Sequence, residues 1–250
     1  MRALLALLCL ILLGGARDPI LVPEVSQHEI QVRQGFTGTE LLLYGAILTP
    51  EGSRAGKDYD IVVVLKGPTN SIVLREKQRL AGIWVNAESA EFRSAPAFFA
   101  VASSKPIDRI VDQKTAAIYE LGLPWLQLSP IGAFDPTEQR RFSAGLVERR
   151  VREGLFKEDP HGVRVSEQVL YQARIRLPSS VQTGTYTAET FAISKGRVVA
   201  SAVARVEVRK VGFERLVAEF ADNNGFLYGL LAVLVSVGMG FIAGRLFALV

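Results

Sequence analysis

Residues 226–244 read FLYGLLAVLVSVGMGFIAG, nineteen residues without a charge. That approaches the roughly 20 residues needed to cross a bilayer core. A soluble core helix is rarely apolar on every face over such a length. The run therefore reads as one C-terminal transmembrane helix, and the rest of the chain folds beside a membrane. Glu219 and Asp222 precede it, Asn223-Asn224-Gly225 form the break, and Tyr228 stands where an aromatic favours the membrane–water interface. Arg245 follows, and 245–250 read as a short cytoplasmic tail with no room for an output domain of its own.

Within the span, Ala232, Ser236, Gly240 and Gly244 recur every four residues. Such a stripe of small residues lets a second helix approach closely, and Ser236 can hydrogen-bond across the contact. Gly and Ala are also common in membrane helices that make no such contact. The expected partners are the lipid bilayer and, through this helix, a multi-pass membrane protein or a second copy of the chain.

The other end of the chain fixes the expected orientation. Met1-Arg2, an apolar run at 3–13 and the small residues Gly14-Gly15-Ala16 have the order of a secretory signal peptide, residues 1–16, cleaved after Ala16. An uncleaved signal anchor is the alternative, for which the run is short. Cys9, the one cysteine, lies in this run behind Leu7-Leu8, where a lipoprotein site needs a small residue. The mature chain then holds no thiol, which removes disulfide scaffolds, cysteine nucleophiles and thiolate metal sites. Export places the large domain outside the cytoplasm, and Arg245 falls on the inner side, as the positive-inside bias prefers. The expected location is the bacterial inner membrane, single-pass, with the large domain in the periplasm and the C-terminus cytoplasmic.

The chain is 49% apolar with mean hydropathy +0.23, both values raised by its two ends. Lys+Arg number 29 against 25 Asp+Glu, a net charge of +4 that falls to +3 when Arg2 leaves with the leader. That small excess is not the dense basic stripe of a nucleic-acid binder, so no nucleic-acid partner is expected.

The middle of the chain is mostly strand-like. Residues 17–105 form a β-rich part, with ELLLYGAIL at 40–48, DIVVVL at 60–65 and shorter segments at 29–32, 71–74, 82–86, 90–93 and 98–102. Trp84 and the Phe98-Phe99 pair read as core. Residues 106–158 read as a helical insertion. One helix spans 106–118, with Ile107, Ile110 and Val111 at helical spacing. A second has Asp135 as N-cap, Pro136 in the first turn, Glu138 completing a capping box, and Gly154 as its end. Its many Arg and Glu residues read as a solvated face with internal ion pairs, or as a basic docking or lipid-facing surface.

Strands resume over 159–210, where Ser194-Lys195-Gly196 marks a hairpin turn. Gly184-Thr185-Tyr186 resembles the tyrosine corner of immunoglobulin-like sandwiches, in which the Tyr hydroxyl bonds back to the backbone. Residues 211–225 form an amphipathic juxtamembrane piece, with Phe213, Leu216, Val217 and Phe220 on one face. The fold class is therefore mainly β. The pattern predicts an immunoglobulin-like β-sandwich of one or two modules, with a helical insertion and one C-terminal transmembrane helix.

Little in the chain points to catalysis. His28 and His161 lack ligand spacing to a second His or Cys. There is no G-x-S-x-G elbow, no phosphate loop and no dinucleotide fingerprint. The expectation is no catalytic residue, no metal and no cofactor. A candidate small-ligand pocket would lie between the strands and the insertion, near Trp84, Phe98 and Trp125.

The block GIWVNAESAEFRSAPAFFAVASSKPI at 82–107 resembles the hallmark of a transmembrane protein family of alphaproteobacteria. DIVVVLKGP, GTYT and YGLLA are similar to other blocks of that family. The resemblance covers nearly the whole mature chain. It implies a partner role for an envelope transporter, of the sulfite or sulfonate exporter type, and supplies no catalytic residues. The functional expectation is a membrane-anchored, non-catalytic periplasmic accessory protein, with a tethered ligand-binding or sensing domain as the alternative.

Overall fold

A computed structural model of the protein describes residues 19–48, 59–167 and 169–247. The leader expected at 1–16, the cleavage expected after Ala16 and residues 248–250 of the expected tail lie outside the described residues. The chain divides into two units, one holding 19–30 and Thr37–Val208, the other Gln31–Phe36 with the residues from Arg209 onward.

The larger unit is built on antiparallel strands whose side-chain alternation sets two facing sheets. In β11 (Leu170–Pro178), Tyr171, Ala173, Ile175 and Leu177 point inward and Arg174 and Arg176 outward. In β3 (Gly38–Leu48), Leu41, Leu43 and Ile47 do the same. With β1 (Ile20–Val25) and β10 (Val163–Ser166) they form a sheet in the order β1-β3-β11-β10. The second sheet runs β2 (Glu29–Val32), β13 (Arg197–Lys210), β12 (Gly184–Ser194), β4 (Asp60–Lys66), β7 (Phe99–Ser103), β9 (Phe156–Asp159). Within it β7 and β9 pair in parallel.

β4 is apolar from Ile61 to Leu65, and all five side chains are fully buried. An unbroken apolar run of this length suits a strand covered on both faces. Successive residues of β12 show what does the covering. Tyr171 Oη lies 3.4 Å from Thr190 Oγ1 and joins the two sheets, whereas Phe191 packs edge-on against Tyr119 of a helix on the opposite face, with ring centroids 5.4 Å apart.

That outer layer is the helical insertion. The single helix expected over 106–118 is broken into α1 (Ile107–Ile110) and α2 (Gln113–Tyr119). Val111 is extended between them, and the Asp112 carboxylate accepts from the Thr115 N–H at 2.9 Å, capping a new helix. A 3-10 turn, Leu123–Trp125, comes next. α3 (Pro136–Arg152) has the capping box read from sequence. Asp135 Oδ1 accepts from Thr137 N at 2.6 Å and Glu138 N at 2.8 Å, and Glu138 Oε2 accepts from Asp135 N at 3.2 Å.

The short strands expected at 71–74, 82–86 and 90–93 are parts of two long ones, β5 (Thr69–Leu80) and β6 (Ile83–Pro96), joined by a two-residue turn. β8 (Pro130–Ile131) pairs with β6. The hairpin and α3 share a small core of Ala90, Phe92, Ala95, Leu128, Phe142 and Leu146.

In the smaller unit, α4 (Phe213–Asn223) ends at Asn224, whose φ of −137° and ψ of 51° leave the helical region. α5 (Gly225–Phe247) then begins. Its segment Gly225–Arg245 is 21 residues long with mean hydropathy 2.2, long and apolar enough to cross a membrane.

Candidate functional site

Along α5 the apolar side chains face outward all round: Phe226 is 85% exposed, Val237 66% and Phe241 74%. Ala232, Ser236, Gly240 and Gly244 lie along this helix. The Ser236 hydroxyl donates to the Ala232 carbonyl at 2.8 Å, so it is satisfied within the helix. A Cβ added at Gly240 or Gly244 would meet nothing within 4 Å. Chemically this surface can do one thing: exchange water for lipid or for another helix.

Several shallow polar recesses open on the larger unit, and two of them hold charged residues from different strands. One, of about 230 Å³, lies on the outer face of the six-stranded sheet beneath Tyr119 and Glu120, with Glu189 and Phe191 in its wall. Glu120 closes α2 in the left-handed region, φ 52° and ψ 46°. Its carboxylate is held from two sides, by Lys66 Nζ at 2.6 Å and by the Gln127 N–H at 2.9 Å. These contacts tie α2 to β4 and fix a conformation that non-glycine residues adopt at some cost.

The other recess, of about 170 Å³, is lined by Asp159, His161, Gly162, Arg164, Gln172 and Arg174. Asp159 Oδ1 accepts from the His161 N–H at 3.1 Å and shapes the loop. The guanidiniums of Arg164 and Arg174, the His161 imidazole, the Gln172 amide and the Asp159 carboxylate all line this one small volume. Arg174 also lies 3.9 Å from the Glu40 carboxylate. His28 is exposed and pairs with Glu24 at 3.0 Å.

The residues read as a candidate pocket are not brought together. Phe98 is fully buried, 6.0 Å from the Tyr186 ring. Trp125 is half-buried in the 3-10 turn. Trp84, expected in the core, is 67% exposed at the end of the β5–β6 hairpin. The reason is that its strand runs on beyond the layer that could cover it.

The Tyr186 hydroxyl donates to the Gln182 carbonyl at 2.9 Å. Gly184, at φ +142°, sits so close that an added Cβ would be 3.0 Å from Pro68. Burial pushes the Tyr186 phenol up to about 12 and also raises that of Tyr171. The basic helix α3 makes internal pairs, Arg149 and Arg150 each 2.9 Å from Glu153 and Arg152 3.1 Å from Glu148. Sequence reasoning missed the Lys66–Glu120 tie and the hairpin tip. A usable signal for the tip was Ala81-Gly82, a turn pair between two apolar residues.

No curated protein matches this chain. A family model described as "Putative transmembrane protein (Alph_Pro_TM)" matches residues 20–248, nearly the whole described chain.

Proposed function

The chain belongs to the Alph_Pro_TM family of transmembrane proteins, and on that footing we propose that it is a non-catalytic accessory protein of a membrane complex. α5 is its single-pass anchor in a bacterial inner membrane, the β-rich unit works in the periplasm, and the C-terminus faces the cytoplasm. The partner is a multi-pass transporter or another envelope complex, an exporter of sulfite or sulfonate type being the first to test. The observation that carries this reading is the surface of α5, apolar on every side, with open space along its line of small residues.

Purification of the full chain in mild detergent, followed by mass spectrometry, tests it. A stoichiometric membrane partner is expected, and Gly240→Leu with Gly244→Leu should weaken the contact by about 1 kcal/mol or more while leaving insertion intact. Recovery of the chain alone, or association indifferent to both changes, overturns it.

The recess with Arg164, Arg174, His161 and Gln172 favours a second reading, a tethered ligand-binding or sensing domain for small oxyanions. A thermal-shift screen with sulfate, sulfite and sulfonates separates the two, and a flat response removes the second. The two facing sheets and the Tyr186–Gln182 hydrogen bond support an immunoglobulin-like sandwich with a tyrosine corner as the finer description of the fold.

A further inference from the structure

The β5–β6 hairpin is longer than the layer that supports it. Its strands pair from Thr69 opposite Pro96 to Leu80 opposite Ile83. Support reaches as far as Glu76 and Glu88, which Arg141 of α3 binds together. Just there the register shifts, between Glu76 and Lys77, and a bulge of this kind re-aims the strand beyond it. The remaining pairs are Lys77–Asn86, Gln78–Val85, Arg79–Trp84 and Leu80–Ile83. At about 3.4 Å per residue the overhang reaches on the order of 14 Å. Every side chain in it is exposed except Val85, which is half-buried. A two-stranded ribbon standing alone in water is marginal, so this one is shaped for something outside its own unit.

The chemistry of the overhang says what. Leu80, Ile83 and Trp84 are each 67% exposed. Cross-strand partners share a face, so Leu80, Ile83 and Val85 lie on one face and Trp84 lies on the other with Lys77 and Arg79. The apex is apolar on both faces, closed by Ala81 and Gly82 at positive φ, and a Cβ added at Gly82 would meet nothing within 4 Å. The ten residues 77–86 contain two cations and no carboxylate.

A docking patch for a folded protein is one-sided and buries about 800 Å² per partner. Three side chains at a ribbon's end bury far less. A narrow wedge, apolar at the apex with a tryptophan and cations just behind it, matches the gradient of a bilayer interface, where indole rings settle at headgroup depth and cations meet lipid phosphates. A chain tethered to a membrane also meets that surface at high effective concentration.

We propose that the β5–β6 tip is a second membrane contact: Leu80, Ile83 and Trp84 enter the interfacial region of a bilayer, and Lys77 and Arg79 pair with anionic lipid phosphates. The inference rests on the reading of α5 as an anchor, and the test separates the two.

The full chain carrying Trp125→Phe, with Trp84 as its only tryptophan, is reconstituted in phosphatidylglycerol/phosphatidylcholine vesicles and in vesicles of phosphatidylcholine alone. Brominated lipid should quench Trp84, aqueous acrylamide should quench it poorly, and Lys77→Glu with Arg79→Glu should reduce the lipid quenching in the anionic vesicles. Where Trp125→Phe disturbs the fold, the difference between the unaltered chain and Trp84→Phe gives the same signal. Acrylamide quenching without lipid quenching places the tip in water and overturns the proposal. Protection from both quenchers means that protein, a second copy included, covers the tip, and overturns it equally. If the chain itself leaves the vesicles in alkaline carbonate, it is the anchor reading that has failed.

Discussion

Tyr186 is 1% exposed, and its hydroxyl is anchored to the Gln182 carbonyl. Replacing it with Phe removes that hydrogen bond and should cost about 1 kcal/mol at neutral pH. The pH dependence is more telling. In the unfolded chain a phenol releases its proton near pH 10, whereas the folded state holds it to about 12. Between those values the folded state binds more protons, so this contribution is whole below about pH 10 and is lost as pH rises towards about 12. Thermal unfolding of the unaltered protein should therefore weaken more steeply over that window than unfolding of Tyr186→Phe. Equal slopes would show that the buried phenol is not what titrates. The sequence pointed to this residue because a Gly two positions before a Tyr is a local pattern. Gly45 had no such mark. It lies opposite Tyr171 in register, and an added Cβ would sit 2.5 Å from the Tyr171 oxygen. The need for glycine comes from the Val22 carbonyl of β1 as well as from Tyr171, 23 and 126 positions away, so no local pattern announces it.

Among the elements, α3 was legible because its start is specified by adjacent residues, Asp135, Pro136 and Glu138. The break between α1 and α2 was not, since helical spacing of Ile107, Ile110 and Val111 survives a kink that the Asp112 cap creates. The hairpin was read as separate short strands because the mostly polar stretches 75–79 and 87–89 interrupt its apolar segments. α3 and the hairpin depend on each other through the Phe92, Phe142 and Leu146 core. Phe142→Ala should cost about 3–5 kcal/mol. Hydrogen exchange should show amide protection falling first across β5 and β6. Uniform loss over both large sheets would mean that the small core is not a separate cooperative layer.

At the scale of the whole molecule, the longest apolar element faces outward all round, an arrangement that a bilayer stabilises and water does not. Val235→Asp, at the middle of the span, should oppose insertion by about 2.5–3.5 kcal/mol. Release of the variant by alkaline carbonate, with the unaltered chain retained, is the expected outcome, and equal retention would count against the anchor. Sequence alone determined the composition-driven features: an apolar span, a capped basic helix, a mainly β body. Each depends on neighbours within a turn or a strand, and local physics suffices to read it. Only the tertiary structure decided how strands before and after the helical insertion interleave. β3 pairs with β11, and β4 lies between β12 and β7. It also decided that Glu120 reaches Lys66, and that Trp84 stands exposed on an overhanging ribbon instead of in the core. Those outcomes turn on which distant surfaces meet, and an apolar residue is core only where another layer arrives to cover it.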